Sequence, residues 1–191
     1  MKQIPFPKLN PYELDRKKTR WENYDYTRSG IYFVTFCTYE RVCYFGDLID
    51  EEMKYSNQGS IAEAFINILS VFHKKVKVKV WKYAVMPDHI HALIELENEE
   101  ADQSRLDHLT DTEEVQKPYK QKNSLSTIIG NYKAAITRCC HRQHLEIKWQ
   151  NGFNDHIIRN HEEFVTYYNY IERNPANWLV ERQQNPMGWV R

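Results

Sequence analysis

Two histidines one residue apart, His89 and His91, stand at the head of an apolar run that continues to Leu96. Side chains alternate faces along a strand, so both imidazoles project the same way and can share one cation. Pro87 and Asp88 just before them have turn chemistry, which puts the pair at a strand end. A second set lies far along the chain, where Tyr167, Tyr168, Tyr170 and Asn174 fall in a helical pattern. Tyr170 and Asn174 are four apart and share a helix face. Beside the histidines that face adds a phenol and a carboxamide oxygen. Nitrogen and oxygen donors of this mix suit Mg²⁺ or Mn²⁺, with Zn²⁺, Co²⁺ or Ni²⁺ as substitutes. Each piece alone has a plainer reading. His-x-His is short and common, most helical tyrosines only pack, and spacing does not choose among the three. Asn174 before Pro175 is, on spacing alone, better read as a helix C-cap.

Other groups are candidates for supporting roles. His156 and Arg159 can orient a site or touch phosphate, with a structural role as the competing reading. Lys77, Lys79, Lys133 and Arg138 can contact a nucleic-acid backbone, or simply be solvated. Glu95 shares the histidine face of its strand, so two histidines and a carboxylate also suit a metal-dependent hydrolase. Cys139-Cys140-His141 with His144 is a poor zinc set, because adjacent cysteines on a helix diverge by about a quarter turn or more.

The elements that position these residues can be read in order. Gly30–Thr38 is a strand rich in β-branched and aromatic residues. Gly46 and Asp47 mark a loop. The apolar positions from Ser60 to Phe72 have helical spacing. Val76 to Val85 reads as a strand that forms a hairpin with the histidine strand across Pro87-Asp88. Ser124 opens a helix that ends near Cys140. Trp149 to Ile158 is extended, with a break at Asn151-Gly152. His161 to Arg173 is a further helix, which Asn174-Pro175 ends or kinks. Strand-helix-strand-strand-helix-strand is the ferredoxin-like, split βαβ order. It predicts an α+β fold, an antiparallel sheet with two helices packed on one face, plus the C-terminal helix.

At 191 residues the chain makes one main domain. Hydrophobic content of 41% against 27% charged residues favours a folded chain over a disordered one. Residues 1–29 are a polar, basic arm, 30–180 the main domain, and 181–191 a tail. An acidic insert of about 97–123 is expected to be mobile. A formal net charge of zero argues against an overall basic footprint, but Arg16-Lys17-Lys18 and Lys74-Lys75 leave room for a basic face. The four cysteines lack disulfide or zinc spacing, no secretion signal opens the chain, and no run is long enough to span a bilayer. Together these predict reduced thiols, a cytoplasmic location and no membrane partner.

Val85-Met86-Pro87-Asp88-His89-Ile90-His91, Ser124 to Lys133, Trp149-Gln150, His156-Ile157-Ile158-Arg159 and Tyr170-Ile171-Glu172-Arg173-Asn174-Pro175 occur in one order over residues 30 to 180. This ordered set resembles the IS200-like transposases of single-stranded DNA that carry the HUH motif, and most closely their REP-associated tyrosine transposase branch. Asp88 departs from the pattern, since Asn is usual before the first histidine. The resemblance implies a metal-dependent endonuclease and strand transferase acting on single-stranded DNA, at hairpin-forming repeats. It implies that His89, His91 and Asn174 hold a divalent cation, Mg²⁺ or Mn²⁺. It implies Tyr170 as the nucleophile, giving a 5′-phosphotyrosine and a free 3′-hydroxyl. A homodimer is compatible with it. A phenol ionises near pH 10 unaided, so a nearby cation is the expected help. The covalent link conserves the phosphodiester bond energy, consistent with the absence of a phosphate-binding glycine loop. The competing classes are a ferredoxin-like nucleic-acid-binding module without chemistry and the hydrolase built on Glu95.

Overall fold

The structure is a computed structural model that describes residues 24–71, 76–99, 102–103 and 124–184, with the side chains of Leu179 and 181–184 left aside. Most of the basic arm, nearly all of the acidic insert beyond Glu99, Lys74-Lys75 and the end of the tail lie outside the described residues.

Four strands form one antiparallel sheet in the order β4-β5-β1-β6, namely β4 (Lys77–Met86), β5 (His89–Glu97), β1 (Gly30–Cys37) and β6 (Asn154–Ile158). This is the split βαβ arrangement expected. Interior β5 must bury both faces, and its alternation divides them. Ile90, Ala92, Ile94 and Leu96 join Tyr32, Val34 and Phe36 of β1 in the main core. Helices α1 (Asn57–Asn67) and α2 (Leu125–Arg142) cover that side with Ala62, Ile66, Leu125, Ile128, Ile129, Tyr132 and Ile136. Full burial of one such side chain contributes roughly 1.5–3 kcal/mol. Serines open both helices: Ser56 Oγ accepts from Gly59 N at 3.0 Å, and Ser124 Oγ from Thr127 N at 3.4 Å.

The opposite face carries His89, His91 and Leu93 of β5 with Phe33 and Thr35 of β1, and α3 (His161–Gln184) lies over it. Among the described side chains of α3, Ile171, Asn174 and Trp178 are buried, three and four apart. Two helices on one face and the C-terminal helix on the other match the expected layers.

Three local readings change and one holds. Gly46-Asp47 begins a small hairpin, β2 (Gly46–Ile49) with β3 (Glu52–Tyr55), rather than a loop. Its turn uses Asp50 and Glu51 at φ of 50° and 62°, so the usual Asn-Gly signal is absent. Gly46 at φ 129° must be glycine, because a Cβ there would stand 2.1 Å from the Lys54 carbonyl oxygen. Helix α1 begins and ends earlier than its apolar period suggested, with a 3₁₀ turn, Leu69–Val71, after it. The extended segment is as expected, a bridge between Trp149 and Thr38, a break at Asn151-Gly152 and then β6. Helix α3 runs through Pro175 to Gln184. The proline removes one backbone hydrogen bond, but Trp178 packs with Leu48 and Met86 and anchors the last turns.

Residues 24–29, at the end of the expected arm, are part of the folded body. Tyr26 and Thr27 are buried, Leu125 N donates to Tyr26 O at 3.0 Å, and Asn98 Nδ2 to Thr27 O at 2.9 Å.

Candidate active site

The histidines sit where β5 leaves the Pro87-Asp88 turn. Thr38 N and Oγ1 each donate to Asp88 O at 2.9 Å, and Phe45 N donates to Pro87 O at 3.0 Å, so neighbouring backbone pins the turn. His89 Nε2 and His91 Nε2 then lie 3.0 Å apart, both rings essentially inaccessible. Each ring's other nitrogen has a partner. His89 Nδ1 is 2.6 Å from Asp88 Oδ1, and His91 Nδ1 is 2.7 Å from Thr35 Oγ1. A proton on each Nδ1 leaves two Nε2 lone pairs facing each other, an arrangement that a shared cation relieves. Two donors about 2.1 Å from one cation and at right angles stand about 3 Å apart.

Asn174 of α3 is the third candidate donor. It is buried, its Oδ1 has no hydrogen-bond partner, and its carboxamide is close enough to His89 to favour the charged imidazole. An orphaned buried oxygen is costly and uncommon, so two imidazoles plus this oxygen fit a divalent cation. Among the described residues no group of three His, Cys, Asp or Glu side chains forms an alternative centre. Burial lowers the pKa of both histidines, His91 most strongly; the charges of His89 and Arg41 add to the effect on His91, while Asp88 opposes it on His89. Neutral imidazoles are the form a metal needs.

Of the three tyrosines only Tyr170 faces the pair. Its ring centroid is 5.3 Å from that of His91 and 5.8 Å from that of Phe33, both edge-on. Tyr167 is committed elsewhere, stacked on Phe33 at 4.5 Å and against His156 at 4.8 Å, and burial raises its pKa. Tyr168 lies under Lys82 Nζ, 4.9 Å from its ring centre, and Lys82 also pairs with Glu172 at 3.0 Å.

The supporting candidates are more dispersed. His156 is 3.3 Å from Glu163 Oε2, and the same oxygen accepts from Arg159 N at 2.9 Å, so both residues brace the start of α3. Lys77 pairs with Glu97 and Glu99 at the far end of β4, and Lys79 Nζ sits 3.2 Å from the Trp81 ring centre. Lys133 and Arg138 belong to α2, across the sheet from the histidines. Lys133 Nζ donates to Gln150 O at 3.1 Å and Gly152 O at 2.6 Å, and burial brings its pKa down to about 8. It clips the loop after Trp149 rather than projecting outward. Glu95 accepts from Trp81 Nε1 at 2.9 Å and takes no place beside the histidines. Cys140 is core, while His141 and His144 are exposed. Thr35 and Arg41 were not singled out by sequence. Thr35 follows from the register once β1 is paired with β5, since it is opposite His91. Arg41 has no local signal.

No known family model matches the chain. It is 29% identical over 166 residues to an uncharacterized protein of Haemophilus influenzae, covering 85% of this chain and 89% of that one. The solved structure of a REP-associated tyrosine transposase bound to a REP hairpin superposes with a TM-score of 0.56, over 90% of this chain and 75% of that one, at 19% identity. The chain has the fold of a REP-associated tyrosine transposase. Within this transposase fold β5 and α3 are the two elements that bring together His89, His91, Tyr170 and Asn174, from opposite ends of the sequence. Among the described residues no helix of the transposase fold is long and apolar enough to cross a membrane.

Proposed function

We propose that the protein is a metal-dependent single-strand DNA transposase that cuts and rejoins DNA through Tyr170. One observation carries the reading: the Tyr170 ring lies 5.3 Å from that of His91, whose Nε2 is 3.0 Å from His89 Nε2, and the buried Asn174 carboxamide lies near His89 on the same side of the sheet. The neighbouring fold, solved with a REP hairpin, supports hairpin-forming single strands as the substrate.

His89, His91 and Asn174 would hold Mg²⁺ or Mn²⁺, which when bound stabilises charge on the non-bridging phosphate oxygens. Asp88 and Thr35 keep the two imidazoles facing that point. The Tyr170 oxygen attacks phosphorus and its proton passes to solvent, while the bond to the 3′-oxygen of the preceding nucleotide breaks and that oxygen takes a proton from solvent to leave as a free hydroxyl. The chain then carries a 5′-phosphotyrosine. A 3′-hydroxyl attacking that phosphorus releases the phenol and restores a phosphodiester, so bond energy is conserved and no nucleotide cofactor is consumed. Tyr170 and the histidines of one chain meet, which supports a site complete within a single protomer.

The test is incubation with end-labelled hairpin DNA from the ends flanking the gene, with Mn²⁺, followed by a denaturing gel. A metal-dependent protein–DNA adduct is expected, and none with Tyr170→Phe. Hairpin binding without any adduct would move the protein to the class of binding modules.

A further inference from the structure

We propose that Arg41 is a positioning residue for the histidine pair, acting through Asp88; the proposal rests on the cation reading of the same site. Asp88 has no exposed surface. A carboxylate is stable in such a place only when paired and hydrogen-bonded. Arg41 Nε is 2.8 Å from Asp88 Oδ2, an ion pair not aligned as a hydrogen bond, and Asp88 Oδ1 is 2.6 Å from His89 Nδ1. Arg41 is therefore both the counter-charge and the clamp that turns the carboxylate's other oxygen onto the imidazole. That contact keeps the ring in its Nδ1–H form and points Nε2 at its partner on His91.

The rest of the geometry shows the guanidinium working from behind. Arg41 Nη1 donates to Cys37 Sγ at 2.8 Å, and Nη2 is 3.4 Å from His89 Nδ1, so the group sits at the edge of the ring away from Nε2. It arrives there from the 3₁₀ turn Tyr39–Arg41, in which Glu40 and Arg41 hold φ of 52° and 58°. Both residues lie in the left-handed region, which residues other than glycine adopt mainly in tight turns, as Asp50 and Glu51 also do. Here the conformation brings a side chain from the loop after β1 onto the turn before β5.

Arg41→Met removes the charge and keeps the stem, whereas Asp88→Asn removes the charge and keeps an oxygen to accept from His89. We would measure Mn²⁺ affinity by calorimetry and, in metal-free protein at fixed pH, the ring ¹⁵N signature of His89 by NMR. Arg41→Met is expected to weaken Mn²⁺ binding by about tenfold or more and to disturb the Nδ1–H signature. In the double variant, affinity should return to within about threefold of Asp88→Asn alone, because no buried charge remains to be clamped. Arg41→Met with unchanged affinity and ring signature would overturn the proposal. So would a double variant weaker than Asp88→Asn alone by as much as Arg41→Met is weaker than wild type, which would mean that Arg41 acts independently of Asp88. If Arg41→Met does not fold, the same change in the Asp88→Asn background decides, and a loss of about tenfold there refutes it. If the wild-type protein binds no Mn²⁺, the cation reading fails, and the ring signature still tests the action of Arg41 on His89.

Discussion

Replacing Thr35 with valine keeps the shape of the side chain and removes one hydroxyl. That hydroxyl is the partner of His91 Nδ1, at 2.7 Å. With it gone, a buried Nδ1–H has no acceptor, a loss of about 1–3 kcal/mol. His91 has one escape. Its proton can move to Nε2 and be donated to His89 Nε2, only 3.0 Å away. The metal-free variant should therefore lose stability near the lower end of that range, a fall in Tm of about 2–4 °C for a chain of this size. Metal binding has no such escape, because the proton then occupies the lone pair that faces the cation. Mn²⁺ affinity should fall by about 10–100-fold. The assay is a thermal melt with and without Mn²⁺, together with calorimetry. Unchanged Mn²⁺ affinity in a folded Thr35→Val protein would refute the reasoning that Thr35 fixes the ring.

Asn174→Ala should leave metal-free stability unchanged or raised, because it removes an orphaned buried oxygen. It should also abolish most of the stabilisation that wild type gains from cation, about 2.7 kcal/mol at a hundred times Kd, read as the Mn²⁺-induced shift in Tm. Burial lowers the pKa of His91 well below its ordinary value, so below about pH 6.5 the unfolded chain binds a proton that the folded chain refuses. Metal-free stability should fall as pH drops from 7.5 to 5, by up to about 1.4 kcal/mol per pH unit for this group, with a shallower slope in His91→Gln, measured by urea unfolding. Lys133→Met should cost about 1 kcal/mol by releasing the Gln150 and Gly152 carbonyls. It should leave the salt dependence of DNA binding unchanged, whereas losing a phosphate contact reduces the logarithmic salt slope by about 1.

The parts legible in the sequence are those written in local pattern. The alternation His89-Ile90-His91-Ala92-Leu93-Ile94 identifies a strand buried on both faces with a histidine side. The four-residue spacing of Tyr170 and Asn174 puts them on one helix face, and element order yields the sheet topology. The choice among Tyr167, Tyr168 and Tyr170 was not legible from spacing, because all three fit the helix. It depends on which turn of α3 lies over His91, and that is decided by Ile171 and Trp178 packing on the sheet. Arg41 was invisible because a left-handed backbone, not a sequence motif, aims it. Lys133 looked like any surface lysine until its loop closed over it. Pro175 read as a helix end because its local cost is evident, while the burial of Trp178 that holds the helix together is a tertiary contact.

The most direct measurement is tandem mass spectrometry of the peptide recovered from a protein–hairpin DNA reaction in Mn²⁺. A nucleotide attached through 5′-phosphate to Tyr170, absent when metal is chelated, is the expected result. A nucleotide on Tyr167 or Tyr168, or product strands that form with no attached residue at all, would contradict the central claim.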